Sequence, residues 1–211
     1  MMRRKLLTII FLLVGLQSFA QQGRIQGSWF FRHFRVGMEW GYSQCLFLNR
    51  NYNIFSEEGY RIHEQYNVLF VRPNGVLTGQ VGFDFARKFN LAIYAGYIGV
   101  GEDNRLYPLQ LRTSFFPHTT AEQGVFVYLQ GGPAWHTLTG GFNLGWMGVG
   151  GSGWRFPLSA YCNLDLLVGV KYLWDHPRIP NPDGPGYTPA HNIRRNDAGY
   201  CALDLTIAIS F

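Results

Sequence analysis

The last nine residues of the chain alternate strictly between apolar side chains and small or polar ones. Leucine or isoleucine occupies the odd positions from Leu203 to Ile209, and the chain ends on the aromatic Phe211. Successive side chains on a β-strand point to opposite faces, so this segment has one apolar and one polar face. The pattern predicts a terminal strand in a sheet whose two sides meet different environments.

The amino terminus has the features of a secretory signal peptide. Residues 1–5 form a basic start, residues 6–16 form an apolar core, and residues 18–20 place small side chains where a leader is cleaved. We predict a Sec signal peptide over residues 1–20 and a short N-terminal periplasmic segment over residues 21–33. Most of the formal net charge of +5 belongs to this leader, so charge predicts no nucleic-acid partner.

Composition narrows the class of protein further. No apolar run of about 18 residues follows the leader, so no transmembrane helix is predicted. The chain has 17% aromatic residues, 26 glycines and only 15% charged residues. Soluble domains usually have about 25% charged residues. Low charge and many aromatic residues fit a transmembrane β-barrel, whose outer face meets lipid.

Eight segments alternate at about the 9–11 residues, or slightly more, that a tilted membrane strand needs. We predict strands over 34–48, 76–86, 90–101, 106–116, 124–136, 146–156, 160–174 and 198–211. The connections 87–89, 117–123 and 157–159 fall where short periplasmic turns belong. The sequence thus predicts an all-β fold, an eight-stranded antiparallel up-and-down transmembrane β-barrel over residues 34–211. Residues 66–71 read as another extended piece, either a hairpin arm in the first outer loop or a sign of ten strands.

The strand assignment turns a set of charged side chains towards the lumen. These are Arg35, Glu39, Asp84, Arg112, Asp165, Lys171 and Asp204. An eight-stranded barrel is narrow enough for side chains to fill, and buried charges are costly unless they pair. We predict a plugged, salt-bridged lumen rather than a water channel. Outward aromatic residues near strand ends predict interfacial girdles: Phe34, Tyr97, Tyr107, Phe115, Trp135, Tyr172, Trp174 and Phe211.

The residues that could form a nucleotide or metal site are interpreted as structural or solvated residues. Gly148 to Gly153 has the spacing G-x-G-x-x-G, but no helix pattern follows, so we interpret these residues as glycines of the barrel wall. His136 is interpreted as an interfacial residue beside Trp135. No metal or cofactor is predicted, and several residues of the last outer loop are interpreted as solvated: Asp175, His176, Asp183, His191 and Asp197.

The terminal strand, the leader and Phe211 resemble the small outer-membrane β-barrel proteins of Gram-negative bacteria, the group of OmpA-type and OmpX-type barrels. Three short segments look like uncharacterised barrels of Bacteroidetes-like bacteria: Tyr107-Pro108-Leu109, Gly131-Gly132-Pro133 and Gly140-Gly141-Phe142-Asn143. The resemblance implies the bacterial outer membrane as location. It also implies that the barrel insertion machinery reads a terminal signal made of Leu205, Ile207, Ile209 and Phe211.

The leading hypothesis for function is a non-catalytic, monomeric barrel with a structural or surface-binding role. Its expected partners are outer-membrane lipids, lipopolysaccharide and an unknown surface ligand held by the outer loops 49–75 and 175–197. The alternatives are a lipid A- or phospholipid-modifying enzyme, a small pore and a soluble secreted β-sandwich. No histidine of the chain begins the His-x-Ser motif of one class of lipid-modifying barrels, which disfavours the enzyme.

Overall fold

The computed structural model describes residues 33–100, 104–136 and 144–211. They form nine strands: β1 (Phe34–Phe55), β2 (Arg61–Leu69), β3 (Asn74–Ala86), β4 (Phe89–Val100), β5 (Asn104–Phe115), β6 (Gly124–His136), β7 (Leu144–Pro157), β8 (Asn163–Asp175) and β9 (Ile193–Ser210). Among the described residues, no helix is long and apolar enough to cross a bilayer. The predicted signal peptide, the segment 21–32 and the glycine-rich segment 140–143 lie outside the described residues.

The sheet closes on itself through β1, which pairs with β3 on one side and with β9 on the other. Trp40 lies opposite Leu77 of β3 and opposite Ile207 of β9, and every pairing around the barrel is antiparallel. Phe211 extends the seam, because its backbone N–H donates to the Val36 carbonyl at 2.8 Å and its own carbonyl accepts from the Val36 N–H at 3.1 Å. The predicted eight-stranded, antiparallel, up-and-down barrel is confirmed.

The ninth strand, β2, does not join the barrel wall. It pairs only with the outer half of β1, from Phe47 opposite Leu69 to Phe55 opposite Arg61. The pairing of β3 with β1 ends at Ser43, so the edge of β1 beyond that point is free to accept β2. The extended piece at 66–71 is therefore a hairpin arm, and the ten-stranded alternative is wrong.

Several strands extend beyond their predicted bounds. Strand β1 continues to Phe55 instead of residue 48, and β9 begins at Ile193 instead of residue 198, because the two strands keep pairing as far as Ile54 opposite Ile193. Strand β8 begins later than predicted, at Asn163, because residues 158–162 form a turn. The outer parts of β1 and β9 are polar in composition, which is why the sequence predicted loops there.

The two ends of the barrel differ. At one end, here the turn end, short turns join β3 to β4, β5 to β6 and β7 to β8. At the other, the loop end, β1 and β9 project beyond the barrel with β2, and residues 176–192 connect β8 to β9. Outside the barrel wall, the described residues form strands only in this projecting part.

Large apolar side chains cover the outside of the barrel wall. Ile93, Leu111, Leu129 and Val170 are all exposed there. The eight aromatic side chains predicted to face outward are all exposed or half-buried. Near the loop end a girdle consists of Tyr97, Tyr107, Trp146, Tyr172 and Trp174, and near the turn end a second girdle consists of Phe85, Phe89, Phe115, Trp154 and Phe156.

Candidate functional site

The structure brings the predicted lumen charges together inside the barrel. Six of the seven are buried and Arg35 is half-buried, near the turn end. Three ion pairs form among them, with N–O distances of 2.9 Å for Arg35–Asp84, 2.7 Å for Arg112–Glu39 and 3.0 Å for Lys171–Asp204. The first and the third join neighbouring strands, and Arg112–Glu39 joins β5 to β1 across the lumen. These pairings explain how charged side chains can occupy a closed interior, since each charge faces its opposite.

Asp165 pairs with Arg155, which was not among the residues predicted to face the lumen. The guanidinium binds both carboxylate oxygens, with Nε at 2.8 Å from Oδ1 and Nη2 at 2.6 Å from Oδ2. Arg155 also donates to the Thr120 carbonyl at 2.6 Å and lies 4.4 Å from the ring centroid of Phe116. The signal was present in the sequence, because an outward Trp154 turns Arg155 inward and the predicted set had one acid in excess.

Arg112 is the centre of the lumen network. Its guanidinium lies between the rings of Tyr94 and Tyr128, at 3.9 Å and 4.5 Å from their centroids. It donates to the Tyr94 hydroxyl at 2.8 Å and to Gln130 Oε1 at 2.6 Å, besides its pair with Glu39. Thr206 donates to the other oxygen of Glu39 at 2.9 Å. The guanidinium thus lies between two rings and is bound by three acceptors inside the barrel.

An apolar layer closes the loop end of the lumen, which was not predicted from sequence. Its members are buried inward residues from the loop ends of the strands: Cys45, Val76, Ile98, Val100, Leu106, Ala134, Met147, Leu173, Ala198, Tyr200 and Ala202. A second apolar cluster lies towards the turn end and comprises Phe116, Phe126, Tyr128, Val149, Leu167 and Ala208. The second cluster is interleaved with the ion pairs, because Tyr128 contacts Arg112 and Phe116 contacts Arg155.

His136 and Asp175 correct two interpretations made from sequence. Asp175 is fully buried rather than solvated, and His136 is bonded to it instead of standing alone beside Trp135, with Nε2 at 2.6 Å from Oδ1. The last residues of β6 and β8 turn these side chains inward above the apolar layer. In residues 33–100, 104–136 and 144–211, no three His, Cys, Asp or Glu side chains are grouped to hold a metal ion.

Beyond the barrel, the chain builds a compact unit that we call the outer platform. It comprises residues 47–55 of β1, all of β2, residues 193–201 of β9 and the connection 176–192. The connection packs on the strands. Ile54 and Ile179 are both buried, and Arg50 Nη2 donates to the Arg178 carbonyl at 2.9 Å.

Asp183 fastens the connection to the tip of the β1–β2 hairpin. Its carboxylate accepts from the Ser56 hydroxyl at 2.6 Å, from the Glu57 backbone N–H at 2.7 Å and from the Tyr60 hydroxyl at 2.9 Å. The hydrogen bond from Ser56, with those from Glu57 and Tyr60, lowers the pKa of Asp183, because each favours the charged carboxylate. Asp183 is thus an organising residue of the platform, not a solvated one.

Asp197 is likewise partnered within the platform. It accepts from Arg195 Nε at 2.7 Å and lies 3.6 Å from His176 Nδ1. The interpretation of these residues as simply solvated is wrong for Asp183 and Asp197. The sequence did not reveal these contacts, because Ser56 and Asp183 are 127 residues apart and Asp197 lies on a part of β9 that was assigned to the outer loop.

No protein-family model matches the sequence, and no curated protein matches it. Among solved structures the fold is similar to that of Neisserial surface protein A (12% identity, 84% of this chain and 95% of that chain covered, TM-score 0.40). It is also similar to the N-terminal β-barrel domain of Pseudomonas aeruginosa OprF (13% identity, 84% and 97% covered, TM-score 0.40). A third similar structure is the outer membrane protein OprG of Pseudomonas aeruginosa (11% identity, 85% and 96% covered, TM-score 0.46).

Proposed function

We propose that this protein is a closed, monomeric and non-catalytic β-barrel of the bacterial outer membrane that holds a rigid platform at the cell surface for binding. The observation that carries the proposal is the inverted arrangement of the barrel. Its outside is apolar and its inside holds ion pairs, whereas a water-soluble barrel has the opposite order.

The dimensions of the barrel wall support the membrane location. On β7 the two girdles are represented by Trp146 and Trp154, eight residues apart. At a rise of about 3.3 Å per residue and a tilt of about 40°, they are about 20 Å apart along the barrel axis. Outer-membrane barrels have an apolar band about 25 Å tall between their aromatic girdles.

Delivery to that membrane is part of the proposal. The leader over residues 1–20 directs export, and the apolar outward face of β9 that ends at Phe211 is the signal for the insertion machinery. Outer-membrane lipids and lipopolysaccharide are then the partners of the barrel wall. The finer resemblance, to uncharacterised barrels of Bacteroidetes-like bacteria, stays a prediction.

A binding role fits the described residues better than the small pore or the lipid-modifying enzyme does. A pore would need water along the lumen, where an apolar layer and the Arg112 cluster lie in series. A lipid-modifying enzyme would need a base in contact with a nucleophile, and no histidine of the chain begins a His-x-Ser motif. The ordered platform, in contrast, is what a rigid barrel can present to a surface ligand.

Epitope tags test the location of the platform. We expect a short tag inserted after Gly59, at the hairpin tip where an added Cβ would have no neighbour within 4 Å, to be labelled by antibody on intact cells. The matched control is a tag after Ala121, in the turn between β5 and β6, which should be labelled only after the outer membrane is permeabilised. Labelling in the opposite order, or a soluble protein with both tags accessible, would contradict the proposal.

The closed lumen predicts an absence of conductance. We expect purified protein in planar lipid bilayers to give no single-channel steps, because an ion crossing the barrel would have to pass both the Arg112 cluster and the apolar layer. A heat-modifiable band on a gel, recovered from the same preparation, verifies that folded barrel was present. Steps that increase in number with the amount of folded protein would favour the small pore instead.

A further inference from the structure

Strand β2 ends on exposed apolar side chains that no part of the described chain covers. Its first seven residues, Arg61 to Asn67, are mainly polar, whereas the strand finishes on Val68 and Leu69 and is followed by Phe70. Leu69 is 65% exposed and Phe70 is 73% exposed. They are the most exposed large apolar side chains of the described hairpin.

The sheet register relates this end of β2 to the loop-end girdle. Leu69 lies opposite Phe47 on β1, Phe47 lies opposite Cys201 on β9, and Cys201 lies opposite Tyr172 on β8. Residues that face each other across a sheet share a face, so all four side chains point outward from the barrel wall. Tyr172 belongs to the girdle, and Leu69 is three strand spacings away from it, about 14 Å along the wall. Leu69 therefore lies on the same outward face of the sheet as the girdle.

The backbone holds Phe70 in place at a conformational cost. Its φ is 53°, in the left-handed region that bulky side chains rarely adopt, where glycine or asparagine would be accommodated more easily. Its N–H donates to the Leu46 carbonyl at 3.0 Å, which fixes the residue against β1 at the bulge of that strand. An aromatic residue at such a position indicates a use for the ring outside the chain.

We propose that Leu69 and Phe70, with Phe47, form a lipid-contacting foot by which the surface hairpin rests on the outer leaflet of the membrane. The occupant is the boundary between lipid acyl chains and headgroups, where exposed aromatic and aliphatic side chains are stabilised. The proposal rests on the membrane location proposed above. The foot adds a third support to the platform, besides the pairing of β2 with β1 and the hydrogen bonds to Asp183. It holds the platform at a fixed inclination to the membrane.

Spin-label accessibility tests the foot directly. The native cysteines are first replaced (Cys45→Ala, Cys162→Ser and Cys201→Ser), and a nitroxide is attached to single cysteines at Leu69→Cys and Phe70→Cys. The protein is placed in vesicles of phosphatidylethanolamine and phosphatidylglycerol. Collisions with oxygen, which enriches in lipid, are compared with collisions with a water-soluble nickel chelate. Val127→Cys, on the exposed outer wall, is the lipid control, and Gln65→Cys, on the same face of β2 as Leu69, is the aqueous control.

We expect the ratio of oxygen to nickel collisions at Leu69 and Phe70 to be several-fold above that at Gln65 and to approach that at Val127. Ratios at Leu69 and Phe70 equal to that at Gln65, with Val127 in lipid, would overturn the foot and leave the membrane barrel intact. A low rate with both reagents, accompanied by spin–spin broadening, would mean that a second copy covers the foot, which also overturns it. An aqueous ratio at Val127 would overturn the proposed function itself, which keeps the two failures distinguishable.

Discussion

Replacing Arg112 with methionine should lower the free energy of unfolding of the barrel by about 3–5 kcal/mol. The substitution leaves Glu39 buried among groups arranged to hold a cation, and it removes the donor to Gln130 and Tyr94. Methionine fills part of the space between the two tyrosine rings, so the loss comes mainly from the unpaired charge. The measurement is equilibrium unfolding in denaturant, in which the folded fraction at each concentration is the fraction of heat-modifiable protein on a gel.

Two variants show whether charge is the cause. The double variant Arg112→Met with Glu39→Gln should recover most of the loss, because no buried charge is then left without its partner. Arg35→Met should cost much less than Arg112→Met, because Arg35 is half-buried near the turn end and Asn90 still donates to Asp84 at 2.8 Å. Equal losses for Arg112→Met and Arg35→Met, or no recovery in the double variant, would show that the network does not stabilise through pairing.

The barrel could be predicted from sequence because its signal is local. Alternation with a period of two, as in Leu203 to Phe211, places each side chain inside or outside without knowledge of any other strand. The same alternation brought the lumen charges to one side. It did not identify their partners, because pairs such as Glu39–Arg112 depend on the register between strands that are distant in sequence. Register follows from pairing, not from composition.

The platform could not be predicted for the same reason, in stronger form. Ser56 and Asp183 are 127 residues apart, and each lies in a polar segment that reads as a solvated loop. Such segments have no apolar periodicity from which order could be predicted. They are held together largely by hydrogen bonds between distant segments, such as those to Asp183. The apolar layer of the lumen was also missed, because inward apolar residues such as Leu106 and Leu173 interrupt a face that was expected to be polar.

The glycines of β7 offer the sharpest test of the wall itself, because the segment 148–153 contains both a crowded and an open position. A Cβ at Gly151 would lie 2.8 Å from the Gly169 Cα and closer still to the Val168 carbonyl oxygen, both backbone atoms of β8. A Cβ at Gly148 would find its nearest neighbour, the Gln130 carbonyl, at 3.9 Å. This glycine-rich segment thus includes, at Gly151, a close approach between β7 and β8 that needs a glycine.

We expect Gly151→Ala to cost about 1–3 kcal/mol, or to prevent closure of the barrel, because backbone atoms of β8 must move to admit the methyl group. Gly148→Ala should be neutral or slightly stabilising, since it restricts the unfolded chain and meets no close neighbour. Heat-modifiability and denaturant midpoints of the two variants, measured side by side, provide the comparison. Equal stability of both would mean that β7 and β8 do not approach each other closely at Gly151. A loss at Gly151 alone would establish that this glycine is required by the close approach of β7 and β8.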